Sequence, residues 1–273
     1  MTDTDPSKRF IACGMYAFTD DLRTAWQTLF DHFFQYYESP YPFEPVLRFD
    51  TGEKLMRDSH LLIGQTCGYP LMSKLIDAVT PICAPVIDVA GCEGKYYSSV
   101  LVVPENSEIE SLNDCYQGIA AINNSDSNSG MNVLRHAVAP LSQAKPYFST
   151  VKEPGSHLHS LTEVAEGKTH IAAIDAISFS FIQDAWPDLT ARVRSIGYTV
   201  KTCGLPFVIP HAISSRFDKD HVTACLNEAT LKMPDQFRQR LRLQGFERVD
   251  MDEYQGVLDL EKHARQAGYL HLN

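Results

Sequence analysis

Several common patterns are missing from this chain, and each absence removes a class of function. Its seven cysteines (Cys13, Cys67, Cys83, Cys92, Cys115, Cys203, Cys225) contain no CxxC pair, so the usual zinc and dithiol-redox spacings are absent. Their number is odd and the chain is far longer than a disulfide-stapled mini-domain, which leaves reduced, mostly buried thiols as the expectation. No GxxxxGK phosphate loop occurs. No apolar run is long enough to span a bilayer, so no membrane insertion is expected. The opening "MTDTDPSKRFIACGMYAF" lacks the apolar core of a secretory signal. As numbered, the chain reads as cytoplasmic; a leader removed upstream would make it periplasmic. Positive charge is scarce: 24 Lys and Arg stand against 34 Asp and Glu, a formal net charge of −10. That excludes a broad basic face for nucleic acid. Any anion the protein holds must be held by local fields against the global one. No internal repeat or low-complexity tract is present.

What is present is a folding sequence. Hydrophobic residues make up 44% and charged residues 21% of 273 positions, enough for a packed core in one large α/β unit or two ordinary domains. Strand-like and helix-like segments alternate. Arg9 to Met15 reads as a strand, and "DDLRTAWQTLFDHFFQYY" as a helix with Leu22, Trp26, Leu29, Phe33 and Tyr37 on one stripe. "LLIGQTCGYPL" is a buried strand running into a polar turn, and "LMSKLIDAV" reads as helical. "APVIDVA", "YYSSVLVVP", "THIAAIDA" and "CGLPFVIP" are strands. "ISFSFIQDAW", "DKDHVTACLNEATL" and "DEYQGVLDLEKHARQA" supply helices, and "SLNDCYQGIAAIN" a short helix followed by a strand. The alternation predicts mainly parallel sheets with helices on both faces, where ligands gather at the carboxyl ends of strands.

Four polar loops stand at such ends. "INNSDSNSGMNVLRHAVAPL" places Ser127, Asn128, Ser129 and Gly130 before a helix that buries Leu134, Ala137, Val138 and Leu141. Unpaired first-turn N–H groups, hydroxyls and amides suit a phosphate-like or carboxylate group, and Gly130 would let it approach the backbone. A plain helix cap explains the same residues. "PGSHLHS" repeats the theme with Ser156 and His157; Ser160 and Glu163 have capping-box spacing, and Gly167 sits at a helix end. His157 and His159 lack a third metal ligand nearby. "QTCGYP" offers Thr66, Cys67, Gly68 and Tyr69; Cys67 with His157 would make a nucleophile and base, although no cysteine-protease signature surrounds it. Asp175 ends a strand and either caps the next helix or accepts from a ligand. Tyr16, just past the first strand, either walls a pocket or packs.

Taken in order, "QTCGYPL", "SDSNSGMNVLR", "PGSHLHSLTEVAEGKTHIAAIDA" and "GLPFVI" resemble the periplasmic binding proteins of phosphate/phosphonate ABC transporters, the PhnD-like family. The resemblance implies a type II periplasmic-binding fold: two α/β lobes, with mainly parallel sheets, joined by two hinge strands and closing on a ligand. It implies a discontinuous lobe 1 (residues 1–99 plus 203–273) and a lobe 2 (100–202), with "SSVLVVP" and "SIGYTVKTCG" as crossings. It implies a non-catalytic solute-binding protein without cofactor or metal, whose partners are a small anionic ligand and an ABC permease or a signalling protein. Its implied ligand contacts are Tyr16, Thr66, Cys67, Gly68 and Tyr69 in lobe 1. In lobe 2 they are Ser127, Asn128, Ser129, Gly130, Ser156, His157 and Asp175. An enzyme using Cys67 and His157, or a cytoplasmic ligand sensor, are the rival expectations.

Overall fold

The computed structural model describes residues 8–143 and 145–272. Ten strands of its two larger sheets follow in chain order: β1 (Phe10–Ala12), β2 (Leu61–Gln65), β3 (Val79–Ile87), β4 (Ser99–Pro104), β5 (Ile119–Ala121), β6 (Thr150–Lys152), β7 (Ile171–Asp175), β8 (Val193–Tyr198), β9 (Phe207–Pro210) and β10 (Leu243–Arg248). The chain divides into two compact units. The first runs to Asp88, takes in Glu93–Lys95 and resumes over Cys203–Tyr254; the second holds Val89–Cys92, Tyr96–Thr202 and the segment from Gln255.

In the first unit the strand order is β1-β2-β9-β3-β10. The stripe read from the sequence forms the helix Asp20–Tyr36, which buries Leu22, Ala25, Trp26, Leu29, Phe30 and Phe33. Its rings meet Phe207 of β9 edge-on, with centroids 6.0 Å from Trp26 and 5.5 Å from Phe30. Each such ring contributes roughly 1.5–3 kcal/mol by leaving water. Pro81 and Pro85 lie within β3 and donate no N–H to the ladder. The register of both neighbouring strands slips: between Phe207 and Val208 on β9, and between Leu243 and Gly245 on β10. The helix expected over 71–79 instead occupies Gly68–Ser73. Pro70 fits its first turn, and Ile76, beyond the helix, is exposed.

In the second unit the order is β8-β4-β7-β5-β6. The expected parallel pairing holds for β1 with β2, and for β7, β5 and β6. Elsewhere the ladders are antiparallel: β9 with β2 and β3, β10 with β3, β8 with β4, and β4 with β7. Both sheets are therefore mixed, because strands arriving out of sequence order return in the opposite direction. "SSVLVVP" and the start of "SIGYTVKTCG", expected as crossings, supply β4 and part of β8, neighbours inside the second unit's sheet, while the end of "SIGYTVKTCG" holds Thr202–Cys203, where the chain leaves that unit. The chain passes between units just outside β4 and β8, at the short strands Cys92–Glu93, Tyr96–Tyr97 and Thr202–Cys203. The terminal helix Gln255–Gln266, expected with the first lobe, belongs to the second unit. The Nδ2 of Asn132 donates to Val257 O at 2.9 Å, and Arg135 donates to Leu270 O at 3.3 Å. No helix among the described residues is long and apolar enough to cross a membrane.

Candidate functional site

The second unit gathers the serines of the opening polar loop. β5 ends at Ala121, and the loop after it turns into a five-residue π turn, Asn128–Asn132, that leads into the helix Val133–Val138. Such wide turns inside helices recur at functional sites. Ser127 caps the turn: its Oγ accepts from Gly130 N at 3.1 Å. The hydroxyls of Ser127 and Ser129 lie 3.4 Å apart, and Ser129 Oγ is 2.8 Å from His157 Nε2. Ser99 Oγ donates to Ser129 O at 2.8 Å and fixes the turn from below. His157 opens the helix His157–Ala165, capped by Ser156, whose Oγ accepts from His159 N at 3.1 Å. Ser160, read as a capping residue, instead lies buried inside that helix; the cap is Ser156. Gly167, with φ of +68°, ends the helix as expected.

The electrostatics follow from burial. Desolvation lowers the His157 imidazole from 6.5 to about 3, and its Nδ1 is buried without a hydrogen-bond partner. At neutral pH the ring is therefore uncharged. Whichever tautomer it adopts, it links to Ser129 through one nitrogen and offers the other inward. The three groups Ser127, Ser129 and His157 form a chain of neutral polar contacts suited to an anion's oxygens. As a general base this imidazole would be very weak near pH 7.

Three residues expected at the ligand have other duties. The Nδ2 of Asn128 donates to Tyr97 Oη (3.2 Å) and Thr202 Oγ1 (2.9 Å), while its Oδ1 accepts from Asn132 Nδ2 at 3.0 Å. Gly130 is needed for a close approach, but of protein: a Cβ there would stand 1.8 Å from Asn123 Oδ1 and 3.1 Å from Asn123 N. Asp175 is 2% exposed, and its Oδ1 accepts from Ser178 N at 2.9 Å, capping the helix Ala176–Ala185. It sits opposite Ser99 in the β4–β7 ladder, which brings it to the strand from which Ser99 supports Ser129. Sequence reading missed Ser99, whose signal was its place at the start of an apolar strand.

In the first unit, Thr66 and Cys67 are buried just past β2, and Tyr69 is half-buried in the helix that Cys67 begins. Tyr16 is buried just past β1. A residue overlooked in the sequence stands beside them in the chain: Gln65, 2% exposed, accepts at Oε1 from the Cys13 thiol at 3.8 Å and leaves Nε2 without a partner. All seven cysteines are free. Burial pushes the thiols of Cys83, Cys92 and Cys115 up to about 12 and raises Cys13, Cys203 and Cys225, so none of these six is a thiolate at neutral pH. Cys67 and His157 fall in different units, and the hydrogen bond found for His157 is to Ser129. Among the described residues no group of three or more His, Cys, Asp or Glu side chains could hold a metal.

With this geometry in hand, comparison with known proteins is informative. A family model described as the periplasmic substrate-binding protein of phosphonate ABC transporters matches residues 16–254. No curated protein matches in sequence. Among solved structures, the chain is similar to a binding-protein component of an ABC phosphonate transporter from Pseudomonas aeruginosa (TM-score 0.73, 16% identity, covering 96% of this chain and 88% of that one). It is also similar to PhnD1 from Prochlorococcus marinus in complex with methylphosphonate (TM-score 0.70, 13% identity, 96% and 100% covered). The periplasmic aliphatic sulphonate binding protein SsuA from Escherichia coli is a further relative in fold (TM-score 0.58, 15% identity, 98% and 91% covered). At these identities the likeness to the solved structures is one of fold, that of the type II periplasmic binding proteins.

Proposed function

This chain belongs to the periplasmic substrate-binding family of phosphonate ABC transporters, and on that premise we propose that it captures a small phosphonate- or phosphate-like oxyanion and releases it unaltered. The observation that carries this reading is the contact of Ser129 Oγ with His157 Nε2 at 2.8 Å, with Ser127 Oγ adjoining. It supplies hydroxyl and imidazole groups at the start of a helix, where the backbone dipole favours negative charge. Ser127, Ser129, Ser156 and His157 hold the oxyanion. Asn128 and Gly130 contribute the shape of the turn. Asp175 receives a donor on the ligand, an amine or a protonated oxygen. The protein works for uptake, delivering the ligand to an ABC permease, and no residue acts as a nucleophile.

A panel of methylphosphonate, 2-aminoethylphosphonate, phosphite, phosphate, methanesulfonate and acetate tests this by thermal shift and titration calorimetry. A ligand present at a hundred times its dissociation constant adds about 2.7 kcal/mol of stability. In a chain of this size each kcal/mol moves Tm by roughly 2–4 °C. A phosphonate or phosphate should raise Tm by that amount, with its phosphorus resonance unchanged after prolonged incubation. Ser129→Ala should weaken the response at least about fivefold. A flat panel, or turnover of a phosphonate, would defeat the reading.

A further inference from the structure

The amides of the serine-bearing turn reach further than a ligand site requires. Asn128 and Asn132 are each 0% exposed. Asn128 Nδ2 donates to Tyr97 Oη at 3.2 Å and to Thr202 Oγ1 at 2.9 Å. Asn132 Nδ2 donates to Asn128 Oδ1 at 3.0 Å and to Val257 O at 2.9 Å, while its own Oδ1 accepts from Arg135 Nη2 at 2.7 Å. The destinations share one property. The chain enters the second unit at Tyr96, leaves it after Thr202 and re-enters at Gln255. Tyr97, Thr202 and Val257 therefore stand within two residues of three of the places where the chain passes from one unit to the other. Each is held, on the second-unit side, by an amide of the turn that carries Ser127 and Ser129.

The energetics give this arrangement leverage. Tyr97 and Thr202 are buried. A hydrogen bond lost there leaves a polar group without water, which costs more than the bond's modest net worth. The five-residue π turn is closed by Val133 N donating to Asn128 O, so a shift of the backbone at Ser129 moves the amide of its neighbour. We infer that Asn128 and Asn132 are positioning residues that couple the state of the ligand turn to the points where the chain crosses between units. The inference rests on the ligand reading above. It differs from a passive core cross-link, which would hold the crossings equally well with and without ligand.

Hydrogen exchange on the full chain, with methylphosphonate as the probe, separates the two. In the wild type, methylphosphonate should slow exchange at 157–160 and also, about fivefold or more, at 96–98, 200–203 and 255–259. In Asn128→Ala, protection at 157–160 persists, protection at the crossing segments is lost, and methylphosphonate affinity falls about 5- to 10-fold. Thr202→Val, nearly isosteric, removes one acceptor without touching the turn; it carries the test if Asn128→Ala does not fold, with the same loss at the crossings. Crossing segments that exchange alike with and without methylphosphonate in the wild type would overturn the coupling. So would variants that speed exchange by one factor in both states. If neither 157–160 nor the crossings respond to methylphosphonate or to any other oxyanion of the panel, the ligand reading fails and the coupling falls with it.

Discussion

Single side chains decide what the serine loop can do, and two of them give direct tests. The imidazole of His157 is held near 3, against 6.5 when solvated, because burial disfavours its charged form. Between those values the unfolded chain binds a proton that the folded chain refuses. Stability therefore rises with pH across that window and levels off above it, by about 1.4 kcal/mol for each unit of difference titrated. Between about pH 7 and pH 5, thermal melts of the wild type should lose more stability than those of His157→Gln, and the ring's proton resonances should stay flat. Equal losses in the two proteins would show that the imidazole is not desolvated. Gly130→Ala should destabilise by about 1–3 kcal/mol, because its Cβ would overlap Asn123. Pairing it with Asn123→Gly should recover part of that loss in a double-mutant cycle. "SDSNSG" and "PGSH" were legible as places, since clustered donors beside glycine need little structure to notice. Which side chains face a ligand was not. Asn128 and Ser129 look interchangeable in sequence, and the partners that claim Asn128, Tyr97 and Thr202, lie 31 and 74 residues away.

Among the secondary-structure elements, the interior strands announced themselves and three of the four sheet edges did not; Phe10–Ala12, the fourth, is a fully buried apolar run and was readable. β2, β3, β4, β7 and β9 are apolar runs, and each was readable as a buried strand. Thr150–Lys152 and Leu243–Arg248 went unread, and Val193–Tyr198 was expected to cross between lobes; all three are sheet edges. An edge strand keeps one side in water, so its sequence carries charges and glycine in place of a hydrophobic run, as "LQGFER" does. The helix Ala176–Ala185 offers a prediction at this scale. Its cap is the carboxylate of Asp175. Asp175→Ala should cost about 1 kcal/mol, whereas Asp175→Asn, an equally good cap, should stay close to the wild type in chemical denaturation. Calorimetric titration of the Asn variant then isolates the ligand role: preference for 2-aminoethylphosphonate over methylphosphonate should shrink while stability holds. Equal destabilisation by both substitutions would place the carboxylate's work outside the cap.

For the whole molecule, the net charge of −10 sets how an anion arrives. Local donors hold it while the distant field repels it, so raising salt with a bulky, non-competing anion should leave methylphosphonate affinity unchanged or improve it. A tenfold loss in stopped-flow or calorimetric affinity would reveal a cationic cleft instead. The α/β class and the order of the motifs were legible because both rest on local pattern. Membership of the last helix was not, since Asn132 and Val257, which bring it into the second unit, are 125 residues apart. That placement bears on biosynthesis. The last strand of the second unit's sheet, Val193–Tyr198, leaves the ribosome about 60 residues ahead of Val257. At roughly 5–20 residues per second the nascent sheet waits several seconds for its closing helix. Meanwhile the Asn132 amide lacks the Val257 carbonyl that receives it in the finished fold, and β9 and β10 of the other unit are still being translated. The second unit completes its sheet before the first does and receives its closing helix after it, so chaperones meet it open.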